Sequence, residues 1–210
     1  MELIIMRDCL LEPIPEIFEA AALLKAGLHF HLKGQHPDAR SCFRSANMNV
    51  VRNWTEALWG KKNPDIHFKV DLSQKGHPIL NKIDRVPLRM PNSAEKKAII
   101  ERDGYNCRFC TIPVIRPEIR KILATLYPED IQWGRKNTEQ HAAFQCMWLQ
   151  FDHVLPHSRG GNNDLDNILI TCAPCNFGRM DNMLSEMKLN DPRDNEFKKS
   201  YWCGLESLVE

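Results

Sequence analysis

Apolar residues recur at three- and four-residue steps along the first part of the chain, the spacing of one face of an α-helix. This pattern begins after Pro15, a residue that favours a first helical turn. The apolar positions are Ile17, Phe18, Ala21, Leu24, Leu28 and Leu32. Gly34 ends this helix, Pro37 begins a second, and a third is predicted over about 50–58. Residues 1–60 therefore predict a helical region, a single helical hairpin plus a third helix.

Turn-forming residues dominate the next segment, and they predict a loop-rich linker over residues 61–92. Within it, the alternation at 67–72 favours a short strand. Asn92 is followed three residues later by Glu95, the spacing of a capping box, which predicts a helix to about Asp103.

Two strands and a helix are predicted further along the chain. Residues 148–154 and 168–171 are rich in strand-forming side chains, and a Gly- and Asn-rich loop separates them. Pro174 then suits the first turn of a helix. Successive strand residues face opposite sides, so we expect a bend or bulge if Asp152 and His153 act together.

Composition and charge narrow the class of protein. The chain is 43% hydrophobic and 26% charged, as in an ordinary globular protein, and no apolar run approaches the roughly 20 residues of a membrane helix. The charged N-terminus is unlike a signal peptide, so we expect a cytoplasmic protein with no membrane partner.

The net charge is +1, but residues 40–97 carry twelve basic and five acidic side chains, a net +7. That segment suits a polyanion as well as it suits a solvated basic surface.

Four of the eight cysteines form two Cys-x-x-Cys pairs, Cys107 with Cys110 and Cys172 with Cys175. This spacing is typical of a structural zinc site with four thiolate ligands. Another thiolate-bound metal and a redox pair are the alternatives, although two pairs count against redox chemistry. A zinc deaminase is excluded, because the chain has no His-x-Glu and no Pro-Cys-x-x-Cys.

The residues around these pairs resemble the HNH endonuclease family over about residues 93–185. The resemblance is carried by Arg102-Asp103-Gly104-Tyr105-x-Cys107-x-x-Cys110, Asp152-His153-Val154-x-Pro156-x-Ser158-x-Gly160-Gly161 and Cys172-x-x-Cys175-Asn176. It implies an α+β fold: a ββα-metal HNH core clamped by the four-cysteine zinc site, with the helical region on its N-terminal side. Residues 111–150 are longer than the usual connection and predict an ordered insertion, and residues 186–210 predict a tail that packs on the core.

The resemblance also implies the site residues. His153 is expected to be the general base, and Asp152 and Asn176 are expected to hold a catalytic Mg²⁺ or Mn²⁺. Asn167 is expected to orient the histidine through its backbone. His157, Arg159 and Arg179 lie in the sequence where contacts to phosphate would help.

These expectations favour an endonuclease that hydrolyses DNA and leaves 5′-phosphate ends. A non-catalytic zinc module that binds nucleic acid is the alternative, although such a module has no need of Asp152, His153 and Asn176 together. A third possibility is an effector in restriction or anti-phage defence, activated by a partner protein that docks on the N-terminal helices. The oligomeric state stays open, a homodimer included, as does DNA versus RNA.

Overall fold

A computed structural model describes residues 6–59, 77–195 and 200–209. In this part of the chain helices surround a small two-stranded sheet, which confirms the predicted α+β class. The helices are α1 (Pro15–Leu32), α2 (His36–Ser45), α3 (Asn49–Leu58), α4 (Ser93–Asp103), α5 (Pro117–Leu126), α6 (Ala142–Cys146) and α7 (Ala173–Arg179). The strands are β1 (Leu149–His153) and β2 (Ile168–Cys172). The strand predicted at 67–72 lies outside the described residues.

The two strands pair antiparallel and one to one, from Leu149 opposite Cys172 to His153 opposite Ile168. Of the bend or bulge expected near the end of this strand, the structure therefore shows no bulge but a bend. His153 is the last residue of β1, and the chain turns immediately after it, where the Val154 amide donates to the Asn167 carbonyl (2.8 Å). Ending the strand at this point frees the histidine from regular alternation without an extra residue.

The three N-terminal helices all contact the rest of the chain: α1 packs on α6, and α2 contacts the segment at 127–141. Helices α1 and α2 form a hairpin, and α3 contacts α6 and α7. A Cβ at Gly27 would lie 2.6 Å from the Phe43 ring, so this glycine lets the two hairpin helices approach closely. Phe18 and Leu32, which belong to the apolar pattern of α1, are 43% and 56% exposed. Among the described residues, no helix is long and apolar enough to cross a membrane.

The insertion at 111–150 contains α5 and α6, and its end leads directly into β1. All five residues of α6 are buried. The C-terminal residues pack near the beginning of the insertion, since the Trp202 indole donates to the Val114 carbonyl (2.9 Å) and Leu205 is buried. The insertion is therefore part of the folded core in the structure.

A buried histidine in the insertion makes stability depend on pH. His141 is fully buried, its Nε2 lies 2.8 Å from the Phe43 carbonyl, and burial lowers its pKa to about 4. An unfolded histidine titrates near pH 6.5, so between pH 6.5 and 4 the unfolded chain binds a proton that the folded chain does not. We expect the free energy of unfolding to fall by about 2 kcal/mol between pH 7 and pH 5 from this group.

Urea unfolding at the two pH values measures this loss, and His141→Gln serves as the matched variant. Glutamine keeps a donor for the Phe43 carbonyl but does not titrate. The variant should therefore lose less stability on acidification than the natural chain. An equal loss in both proteins would contradict the assignment to His141.

Candidate active site and metal centre

The four paired cysteines meet at one point in the structure. Their sulfur atoms all lie within 4.8 Å of one another, and all four residues are buried. Cys110 Sγ and Cys172 Sγ are 3.6 Å apart, and the Cys175 amide donates to Cys172 Sγ (3.4 Å). One pair comes from a turn after α4, and the other comes from the junction of β2 with α7. Cys110 and Cys172 are 62 residues apart in the sequence.

A buried aspartate joins these two parts of the chain. Asp103, at the end of α4, accepts a hydrogen bond from the Ile170 amide of β2 (3.0 Å). Its carboxylate also pairs with Arg102 (2.7 Å) and Arg108 (3.2 Å), which satisfies the buried charge. The Arg108 amide donates to the Ile170 carbonyl (2.9 Å). The Arg-Asp segment of the sequence motif therefore serves to hold the first cysteine pair against β2.

The cysteine cluster fits a tetrahedral thiolate-bound ion. Zinc with sulfur ligands at about 2.3 Å sets those sulfurs about 3.8 Å apart, close to the observed spacing. Burial raises the pKa of the Cys172 thiol well above its usual value, so a cation would displace its proton on binding. Four sulfur ligands would leave a bound ion no open coordination position, as in a structural site.

Asp152, His153 and Asn176 line a single cavity of about 730 Å³. Asp152 and His153 come from the end of β1, and Asn176 comes from α7, directly after the last cysteine. The helix begins immediately after β2, which brings an amide side chain of α7 to the cavity at the end of β1. The sequence motif is therefore brought together in space.

Asp152 is held by a buried arginine. Arg179 donates to Asp152 Oδ1 (2.6 Å) and Oδ2 (3.3 Å), and also to the His153 carbonyl (2.6 Å). Burial raises the pKa of Asp152, while the Arg179 charge acts in the opposite direction. A carboxylate accepts about four hydrogen bonds, so two lone-pair positions remain for a cation. Arg179 was expected to contact phosphate, but with 1% of its side chain exposed it supports Asp152 instead.

His153 takes its orientation from Asn163, a residue that the sequence motif does not single out. Asn163 Nδ2 donates to the Leu88 carbonyl (3.0 Å), which turns Asn163 Oδ1 toward His153 Nε2 (3.0 Å). In the neutral imidazole Nε2 therefore carries the hydrogen, and Nδ1 is the nitrogen that can accept a proton. Burial lowers the pKa of His153, which favours this neutral form.

Asn176 is oriented in a similar way by Gln150. The Gln150 amide nitrogen donates to the Leu149 carbonyl (3.0 Å), so its oxygen faces Asn176 Nδ2 (3.4 Å). The Asn176 oxygen is then left for another partner. A carboxylate and an amide oxygen are the hard donors that Mg²⁺ and Mn²⁺ prefer, so this pair fits the predicted catalytic ion.

Asn167 stabilises the turn after β1 and does not contact the His153 ring. Its side chain accepts from the Leu155 amide (2.9 Å) and donates to the Asn162 carbonyl (2.9 Å). A Cβ at Gly161 would lie 1.8 Å from the Leu155 carbonyl oxygen, so only glycine fits there. Asn167 thus contacts the backbone directly after His153, and any effect that it has on the orientation of the histidine passes through that backbone.

His157 and Arg159, two of the residues predicted to contact phosphate, differ in where their side chains lie. His157 lines the cavity, and its Nε2 lies 2.8 Å from the Val86 carbonyl. Arg159 pairs with buried Glu186 (2.9 Å), which directs its guanidinium into the protein. This geometry gives the predicted phosphate contact of Arg159 no support.

Three other basic side chains line the cavity, and the sequence had placed them in a linker. They are Lys82, Arg85 and Arg89. Their segment is attached to the site loop by the Leu80 amide, which donates to the Ser158 carbonyl (2.8 Å). The basic excess of residues 40–97 was a signal for them, but it did not show which charges face the site.

The two strands and α7 form a ββα arrangement, held together by the four-cysteine cluster. Asp152, His153 and Asn176 lie at one cavity of this arrangement. Residues 142–190 match the model of a family described as HNH endonuclease, which confirms the resemblance. This match covers α6, both strands and α7, whereas Cys107 and Cys110 lie upstream of it. The likeness to the HNH endonuclease family is thus shown for residues 142–190. No curated protein and no solved structure matches the chain.

Proposed function

We propose that this protein is a divalent-cation-dependent endonuclease that hydrolyses phosphodiester bonds in DNA. The observation that supports it most is the meeting of Asp152, His153 and Asn176 at one cavity beside the cysteine cluster. A binding module would gain nothing from a proton acceptor placed next to two oriented oxygen donors.

In this proposal His153 removes the proton from the attacking water. Nδ1 accepts it, while Asn163 holds the ring through Nε2. Asp152 and Asn176 would hold Mg²⁺ or Mn²⁺, which supplies positive charge against the phosphate and the leaving oxygen. Arg179 keeps Asp152 in place from the opposite side. Hydrolysis then leaves the phosphate on the 5′ end, as the family resemblance implies.

Three basic residues that line the cavity, Lys82, Arg85 and Arg89, favour the proposal of a polyanionic substrate. Lys82 and Arg89 are exposed, and within the described residues neither donates a hydrogen bond to the protein. Arg85 is half-buried and donates to the Leu80 carbonyl. Basic side chains that line an active-site cavity attract and position the phosphate backbone. A role in restriction or anti-phage defence, a cytoplasmic location and a partner protein stay predictions of the sequence.

The ion-binding role of Asn176 is tested with Asn176→Ala. We expect supercoiled plasmid to be nicked only with Mg²⁺ or Mn²⁺, and the variant to need about 10- to 100-fold more cation for half-maximal rate. The rate is measured against cation concentration, with Asn190→Ala, an exposed asparagine, as the matched control. An unchanged cation requirement in Asn176→Ala would remove this residue from the proposed ion site.

A further inference from the structure

A second cavity, of about 770 Å³, lies beside the active-site cavity. Met90, Gln150 and Phe151 line both, so the two spaces adjoin. We propose that this second cavity, the side groove, binds an unpaired nucleic-acid strand that flanks the scissile phosphate. The inference rests on the proposed nuclease function and specifies its substrate further.

Aromatic side chains form much of the side groove. Tyr105, Trp148 and Phe151 line it, and each is partly exposed. Trp148 makes T-shaped contacts with Trp133 and Phe177, with ring centroids 5.8 and 5.9 Å away. Unpaired bases stack on such rings, whereas bases within a duplex have both faces covered by their neighbours. The aromatic lining therefore favours a single strand.

Two lysines of α4 supply positive charge at the same groove. The Lys97 side chain is 80% exposed and lies 3.9 Å from Glu101 in an exposed, weakly paired contact. The Lys96 ammonium lies 5.7 Å from the centre of the Phe151 ring. A strand whose bases stack on the aromatic rings would place its phosphates within reach of these flexible side chains. Lysines beside aromatic platforms are the combination that binds single strands without reading their sequence.

The side groove is less basic than a surface that holds a duplex. Glu101 and Glu118 also line it, and Arg116 is neutralised by its ion pair with Glu206. A duplex offers a dense array of phosphates and is held mainly by many basic contacts. A groove with few net charges and several rings is suited instead to stacking, which argues for the unpaired strand.

The insertion at 111–150 and α4 both line this groove. Residues 116–118 and 148–150 come from the insertion, and Lys96 and Lys97 come from α4. A space of about 770 Å³ lies within the roughly 300–1,000 Å³ typical of small-ligand sites, enough for one or two nucleotides. In this proposal the insertion contributes residues that bind the substrate.

Binding of fluorescently labelled DNA tests the inference apart from cleavage, in buffer without added magnesium or manganese. A blunt duplex is compared with the same duplex carrying a single-stranded overhang. We expect the overhang to bind at least about 10-fold more tightly, from stacking of one or two bases. Binding of both DNAs without any cleavage when magnesium is added would count against the proposed function alone.

Two variants address the groove directly. Trp148→Leu removes a stacking surface, and the double variant Lys96→Ala, Lys97→Ala removes only surface charge and should fold normally. Each should lower the preference for the overhang at least about fivefold while blunt-duplex binding changes little. The double variant Lys25→Ala, Lys33→Ala, on α1 and directly after it, makes the same change of charge at exposed positions and should keep the preference.

Equal affinity for the overhang and the blunt duplex would overturn the inference. So would a preference that survives both groove variants, or a lysine variant that weakens both DNAs equally. Tighter binding of a mismatched duplex than of the overhang would mean that the groove binds a base turned out of the duplex. That result would also overturn the proposal that the groove binds a flanking single strand. Circular dichroism checks that Trp148→Leu is folded.

Discussion

Replacing His153 by alanine is expected to lower the rate of DNA hydrolysis by about 100- to 10,000-fold, the range attributed to a general base. The reason is that His153 offers the proton-accepting Nδ1 at the cavity, with Nε2 committed to Asn163 (3.0 Å). Initial rates of plasmid nicking under saturating magnesium measure the loss. DNA binding should change far less, because the phosphate contacts come from other side chains.

His29→Ala is the matched control, since His29 is an exposed histidine on α1, outside the cavity. It should leave the rate unchanged. A His153→Ala protein that is folded and retains more than about a tenth of the activity would contradict the role of general base. Equal activity in all preparations would indicate a contaminating nuclease.

Loss of one cysteine ligand is expected to unfold the HNH core. Cys172→Ser removes a thiolate from a cluster in which the four sulfurs lie within 4.8 Å. Metal binding in small structural zinc sites contributes on the order of 10 kcal/mol, comparable with the whole stability of a domain, about 5–15 kcal/mol. We therefore expect the variant to bind less than one zinc per chain and to lose its cooperative thermal transition.

Cys203→Ser makes the same atomic change at an exposed cysteine and should leave both zinc content and stability unchanged. Elemental analysis gives the zinc stoichiometry, and circular dichroism follows unfolding as zinc is removed by a chelator. A stable, cooperatively folded Cys172→Ser protein would mean that the cluster is not a metal site on which the fold depends.

The neighbours of Asp152, His153 and Asn176 were much harder to predict from the sequence than these three residues themselves. Asn163 is one of several asparagines in a loop, and nothing in its sequence position distinguishes it. Its role depends on the Leu88 carbonyl, 75 residues away, which turns its amide. Arg179 was expected to contact phosphate, whereas the buried Asp152 carboxylate gives it a partner inside the protein.

The residues that line the cavities were also hard to predict from the sequence. The sequence showed that the segment around Lys82 and Arg89 is basic, but charge counting does not tell a cavity wall from a solvated loop. Periodicity likewise placed Phe18 and Leu32 on the apolar side of α1, yet both are largely exposed. Whether a residue on an apolar stripe is buried depends on what packs opposite it.

Local spacing in the sequence indicated the chemistry that we propose for this protein. The features are two Cys-x-x-Cys turns, an Asp-His at a strand end, and an asparagine directly after the last cysteine. Such features depend on residues close together in the chain, and sequence displays them directly. Tertiary structure alone decided that Gln150 orients Asn176, that Arg179 supports Asp152, and that residues 80–90 and the insertion wall two adjoining cavities. Those relations join distant segments, and packing creates them only once the chain has folded.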